Sequence, residues 1–145
     1  MSDWFKLRRF VTAQESIYSE VLRELAAGRK TSHWMWFVFP QLSGLGRSDI
    51  SKKYGLAGKE EARAYWEDTI LGDRLRECVA LLLLVDPSQT AYEIIGSPDD
   101  LKLHSCLTLF SIVAPEDQNL QKALARFYAG KLDSLTLGIL RDESR

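Results

Sequence analysis

The chain is predicted to be all-α, a single compact multi-helix domain over residues 1–145, on three observations. Apolar residues recur at helical spacing from one end to the other. Period-two alternation over five or more residues is nearly confined to the ambiguous run 34–39. Polar caps and Gly or Pro stops bracket the apolar stripes. No repeat, low-complexity tract or flexible linker divides the sequence.

Taken in order, a first short helix follows Asp3, with Trp4, Leu7, Phe10 and Val11 on one face. A second covers about 15–27, where Ile17, Val21, Leu22 and Leu25 share a face and Gly28 stands as the C′ residue. Ser48 is placed to cap a short helix through Tyr54, and 59–68 reads as another that turns Ala62, Tyr65 and Trp66 inward. Thr69 is placed to cap the strongest amphipathic helix, expected to be the central one. Its stripe of Leu71, Leu75, Cys78, Val79, Leu82 and Val85 runs to the stop at Asp86-Pro87. A short helix over 88–95 ends at Gly96. The next opens on Ser97-Pro98-Asp99-Asp100, with Ser97 as N-cap, Pro98 at the first helical position where no N–H is needed, and both aspartates at the positive end of the macrodipole. It runs to about Val113, before Pro115. Leu120, Leu124, Phe127 and Tyr128 mark a further helix ending near Gly130, and Asp133 caps a last one carrying Leu135, Ile139 and Leu140.

Composition narrows the function classes. With 46% hydrophobic and 27% charged residues, 145 residues carry enough apolar material for one core. Lys and Arg total 19 against 20 acidic residues, so the net charge of -1 supplies no global field for nucleic acid or anionic membrane, and nucleic acid is disfavoured as a partner. The N-terminal ten residues do not read as a signal peptide, and the longest apolar run, 79–85, is far short of the roughly 20 residues that span a bilayer. The expectation is a cytoplasmic protein with no membrane partner. Cys78 and Cys106 lie within apolar helical patterns rather than in a CxxC pair, which reads as reduced core thiols. With only His33 and His104 beside them, no metal site is expected, and no cofactor motif is present.

Three segments concentrate chemistry. Residues 28–41 pack two Trp, two Phe, a His and two cations into fourteen positions. Trp34, Trp36, Phe37 and Phe39 either fill the core or wall a pocket. In the pocket reading Arg29, Lys30 and His33 pair with phosphate or carboxylate, the aromatic faces stack on planar rings, and Gln41 contacts the ligand. Residues 42–48 form a Gly-rich turn before a helix start, where backbone amides can hold an anion, but the spacing matches neither GxxxxGK[ST] nor a strand-flanked GxGxxG. The third segment is 99–105. Asp99 and Lys102 are paired at i,i+3 and Asp100 and His104 at i,i+4, and a carboxylate that orients a His suits general acid or base work. Capping alone also accounts for both aspartates. No GxSxG elbow is present and Ser105 lies inside a helix, so a Ser nucleophile is unsupported. Arg8-Arg9 and Lys52-Lys53 read as solvated faces.

The blocks GRKTSHWMWFVFPQLSGLGRS, EARAYWED, LGDRLREC, EIIGSPDDLKLHSCLTLF and FYAGKLDSLTL closely resemble the bacterial domain-of-unknown-function family numbered 1810, over essentially the whole chain. The resemblance implies a mainly α-helical fold and no established activity. The calpastatin-like label attached to some members fits nothing in these residues. More loosely, the helical layout and the Asp-Lys helix look similar to NADAR-type N-glycosidases, which act on ADP-ribose-like or phosphoribosyl compounds. The sequence shows no clear glutamate-centred motif to carry over from them.

Two functions stand open. In the first, the chain binds a nucleotide-like or sugar-phosphate small molecule where segments 33–41 and 99–105 meet. Trp34 and Trp36 stack the base, Arg29, Lys30 and Lys102 hold the phosphate, Gln41 and Ser105 complete the site, and Asp99 or Asp100 with His33 assists glycosidic cleavage. In the second, exposed Trp and Phe side chains form a protein-binding patch on a non-enzymatic module. A core-only role for the same residues is the third alternative. The sequence specifies no oligomeric state. Convergence of the two segments on one cavity separates the first function from the second, and so does burial of the aromatics.

Overall fold

The computed structural model describes residues 5–143. Ten α-helices run through them: α1 Arg8–Glu15, α2 Tyr18–Ala26, α3 Met35–Val38, α4 Asp49–Tyr54, α5 Lys59–Glu67, α6 Leu71–Leu84, α7 Ala91–Ile95, α8 Asp99–Val113, α9 Gln118–Tyr128 and α10 Ser134–Glu143. A 3-10 turn at Ser43–Leu45 lies between α3 and α4. Among the described residues there is no strand, only one isolated parallel bridge between Leu42 and Leu56. The fold is all-α, as predicted, and the ambiguous run 34–39 is the short helix α3. Trp4, expected on the first helix, lies outside the described residues.

The central helix is α8 rather than α6. α6 buries one stripe (Leu71, Leu75, Cys78, Val79 and Leu82) against α2, α5 and α9. α8 is buried on nearly every face from Leu103 to Val113 and packs against α3, α5, α7, α9 and α10. A clear stripe marks a helix with one wet side, whereas a helix enclosed all round shows no stripe, so the more central element has the weaker pattern. Cys106 and Cys78 are free, buried thiols in this core. No helix among the described residues is long and apolar enough to cross a membrane.

Local signals explain most boundaries. Gly28 takes φ +71° after α2, the left-handed geometry that an L side chain resists. Ser48 caps α4 by accepting the Ser51 N–H at 3.2 Å, and Asp133 Oδ2 accepts the Thr136 N–H at 3.0 Å at the start of α10. Three caps differ from expectation. At the start of α6 the side chain of Asp68, not that of Thr69, takes the capping part, its Oδ2 accepting the Ile70 and Leu71 N–H groups. Thr90 and Glu93 form a reciprocal capping box at α7, which therefore starts at Ala91 rather than Ser88. At α8 the cap position is Pro98, joined to Ser97 by a cis peptide bond, and no side chain caps the helix, so Ser97 does not play that part. Arg9 is not a solvated charge. Its guanidinium donates to the carbonyls of Phe5, Lys6, Lys53 and Gly55 and pairs with buried Glu61 at 3.1 Å, tying α1 to the turn between α4 and α5.

Candidate functional site

The two chemistry-bearing segments meet. A buried carboxylate that the sequence reading passed over, Glu24, organises the first of them. Its Oε1 accepts the N–H groups of Thr31 at 2.8 Å and Ser32 at 3.0 Å and the Trp34 indole N–H at 3.0 Å, and its Oε2 accepts the Ser32 hydroxyl at 2.6 Å. Burial raises the proton affinity of Glu24, but these hydrogen bonds favour the charged form more strongly and hold its pKa at about 2. Glu24 therefore clamps the loop leading into α3. The Lys30 N–H donates to the Ile94 carbonyl at 2.7 Å, fixing the same loop to the end of α7, one turn of chain before α8.

Across this junction Lys30 Nζ reaches Asp99 Oδ2 at 2.8 Å, while Lys102 Nζ holds Asp99 Oδ1 at 3.2 Å from the next turn of α8. Lys30 also donates to the Ser32 carbonyl and lies 4.9 Å from the Trp34 ring, and Lys102 lies 5.4 Å from the Trp36 ring. The side chain of Lys30 is only 7% exposed, so the ion pair is desolvated at one end and open at the other through Lys102. The i,i+3 pair is the one that spacing suggested; the Lys30 partner is new.

Two adjoining cavities open here. The first, about 270 Å³, is lined by Lys30, His33, Met35, Trp36, Asp99 and Lys102, with Ser48 and Ile50 at its edge. The second, about 420 Å³, is lined by Gln41, Leu45, Arg47, Leu101, Ser105 and Leu135 among others. Trp36, Ser48 and Lys102 line both. Gly46 lets the 42–48 loop close on this wall, since a Cβ there would stand 2.9 Å from Trp36 Cη2. The linings carry three cations, Lys30, Arg47 and Lys102, against two carboxylates, Asp99 and Asp133. Asp133 is already engaged, accepting from the Ser105 hydroxyl at 3.0 Å and the Thr136 hydroxyl at 2.6 Å. The surplus is positive, and it faces a concave surface with an aromatic wall.

The site residues expected from sequence thus divide. Lys30, His33, Trp36, Asp99 and Lys102 share the first cavity, and Gln41, Ser105, Trp36 and Lys102 the second. Trp34 lies behind them, fully buried on Glu24. Arg29 is exposed and lines neither cavity. Asp100 lines neither, and it does not orient His104. Its Oδ1 accepts the Leu101 N–H, while the His104 ring stacks on Tyr128 at 4.1 Å between centroids and its Nε2 bonds the Lys131 carbonyl at 2.7 Å. Burial of Trp34, Trp36 and Phe39 removes the exposed aromatic patch on which the interaction-module reading depends. Among the described residues no group of three His, Cys, Asp or Glu side chains is placed to hold a metal ion. The sequence reading gave no site role to Arg47, Leu101 or Leu135, although Arg47 lies in the 42–48 turn and Leu101 in the 99–105 segment; all three line the second cavity.

The sequence pattern of the family described as "Protein of unknown function (DUF1810)" matches residues 4–140. The fold is similar to the crystal structure of the conserved hypothetical protein Rv1873 from Mycobacterium tuberculosis. The two chains are 47% identical, with a TM-score of 0.94 over 96% of this chain and 99% of that one. No curated protein matches the chain.

Proposed function

Proceeding from the fact that the chain belongs to the DUF1810 family, whose description assigns no activity, we propose that it binds a phosphorylated, nucleotide-like small molecule at the junction of α3 and α8. The observation that carries this reading is the convergence of Lys30, His33, Trp36, Asp99 and Lys102 on one concave surface from segments some seventy residues apart. Proteins place ligands in such clefts, with an apolar wall and a few convergent polar groups. Of the two lysines paired with Asp99, Lys102 is the more available to an anion, because its side chain is the more exposed. An incoming phosphate shares Lys102 and Lys30 with Asp99 and displaces little else.

The finer reading is hydrolysis of an N-glycosidic bond in that ligand. Asp99, facing the first cavity, stabilises positive charge developing at the anomeric carbon as the C–N bond breaks. Water adds to that carbon, and the base leaves with a proton.

A thermal-shift screen of nucleotides, NAD, ADP-ribose and sugar phosphates tests the binding. A ligand at about 100 times its Kd adds roughly 2.7 kcal/mol, a shift of several degrees for a chain of this length. Lys102→Met and His33→Ala, verified as folded, are expected to weaken the shift. The absence of a shift with every phosphorylated compound would overturn the reading. Release of free base by wild type, lost in a folded Asp99→Asn variant, is the result expected for the hydrolytic step.

A further inference from the structure

Gln41 is 3% exposed, yet its side-chain amide makes no hydrogen bond with any described residue and lines the second cavity. Its backbone is firmly held. The Gln41 carbonyl accepts the Leu56 N–H at 2.9 Å, and the following Ser43 N–H donates to the Leu56 carbonyl at 2.9 Å across the isolated bridge. The other buried polar side chains around this junction are engaged, Ser105 by Asp133 and Glu24 by four donors. Buried polar groups in folded proteins are almost always paired. Among the described residues the fully enclosed side-chain atom without a partner is Arg126 Nε, so the Gln41 amide is not sealed in: carried on a fixed backbone, it presents its donor and acceptor to the open cavity as a recognition group.

The rest of the cavity describes that partner. Trp36 and Leu45 supply apolar wall, and Leu101 and Leu135, 63% and 68% exposed, stand at the rim with no core to join. Such walls suit a flat ring. A carboxamide offers a donor and an acceptor side by side, the arrangement that pairs two-point with an amino-acceptor edge such as that of adenine or with another carboxamide. Lys102 and Trp36 border both cavities, so a ring in the second connects directly to an anion in the first.

We infer that the second cavity is a subsite for a heterocycle carrying adjacent hydrogen-bond donor and acceptor groups, and that Gln41 sets its specificity. This rests on the phosphate-binding reading of the first cavity.

Isothermal titration with four probes tests it. Adenosine 5′-phosphate and nicotinamide mononucleotide both present a donor-acceptor edge and separate the purine from the carboxamide source. Purine riboside 5′-phosphate lacks the donor, and ribose 5-phosphate lacks the ring. Wild type is expected to bind at least one of the first two tenfold or more tightly than either of the others. Gln41→Leu and the unbranched Gln41→Met are expected to abolish that preference. The two variants back one another if one packs badly. Equal binding of all four probes to wild type, or an undiminished preference in a folded Gln41 variant, overturns the subsite and leaves the phosphate site standing. Failure of every probe, ribose 5-phosphate included, overturns both.

Discussion

Glu24→Gln tests the clamp that shapes the site. The Glu24 carboxylate has four donors around it and a pKa lowered from 4.5 to about 2. Because the folded value is the lower, the unfolded chain binds the proton more tightly. The stabilisation is fully present above the unfolded value of 4.5 and is lost as pH falls toward 2. Each tenfold change in proton affinity is worth about 1.4 kcal/mol, so the charge contributes roughly 3 kcal/mol at neutral pH and less than half of that at pH 3. Gln keeps one acceptor oxygen for Thr31, Ser32 and Trp34 but lacks the charge. Glu24→Gln is therefore expected to lose about 2–3 kcal/mol at pH 7, some 5–10 °C in Tm for a chain this long. Urea denaturation of both proteins at pH 7, 5, 4 and 3 reads the difference directly, since the other carboxylates titrate alike in each and cancel. A gap that narrows with acidification is expected. A gap that is absent at pH 7, or constant across the series, refutes the account of Glu24.

Other consequences follow from the same contacts. Asp99→Ala strands the ammonium of nearly buried Lys30 and is expected to cost about 3 kcal/mol, against less than about 1 kcal/mol for Lys102→Met at the more exposed end; chemical denaturation distinguishes the two. Arg126 donates to the carbonyls of Leu82, Leu83 and Asp86 at the end of α6, so Arg126→Leu is expected to speed amide hydrogen exchange in the last turn of α6 and lower stability by about 2 kcal/mol. Burial pushes the Cys78 thiol up to about 12 and the Cys106 thiol well up. Both are expected to resist a thiol reagent at pH 8 until denaturant is added; rapid modification of the native chain would contradict their placement.

The fold was legible because its signals are local. Stripes at helical spacing, Gly28 and Gly96 as stops, and Ser48 and Asp133 as caps all act within one or two turns, where sequence separation and spatial separation coincide. Errors arose where two polar residues compete for one cap, as with Asp68 beside Thr69 and Thr90 just after Ser88. The centrality of α8 was hidden because an all-round apolar helix has no preferred face. At the site, the Asp99–Lys102 pair was readable from spacing, whereas Lys30–Asp99 depends on a tertiary meeting that no spacing encodes. Asp100 and His104 lie at helical spacing, but His104 turns to Tyr128 and Lys131 at the far end of α9. Glu24 did carry a signal that went unread: it lies one turn after Val21 and beside Leu25, a charge on the buried face of α2. A carboxylate in that position must find donors, and the donors are the loop that builds the site.

The most direct test of the central claim, that α3 and α8 together form a phosphorylated-ligand site, is a two-dimensional ¹H–¹⁵N titration of the labelled chain with adenosine 5′-phosphate and with ribose 5-phosphate. The expected result is saturable shifts confined to amides of 30–48 and 98–105 and to the Trp36 indole N–H. No saturable shift, or shifts centred instead on the exposed Leu84 face of α6 and α9, would contradict it.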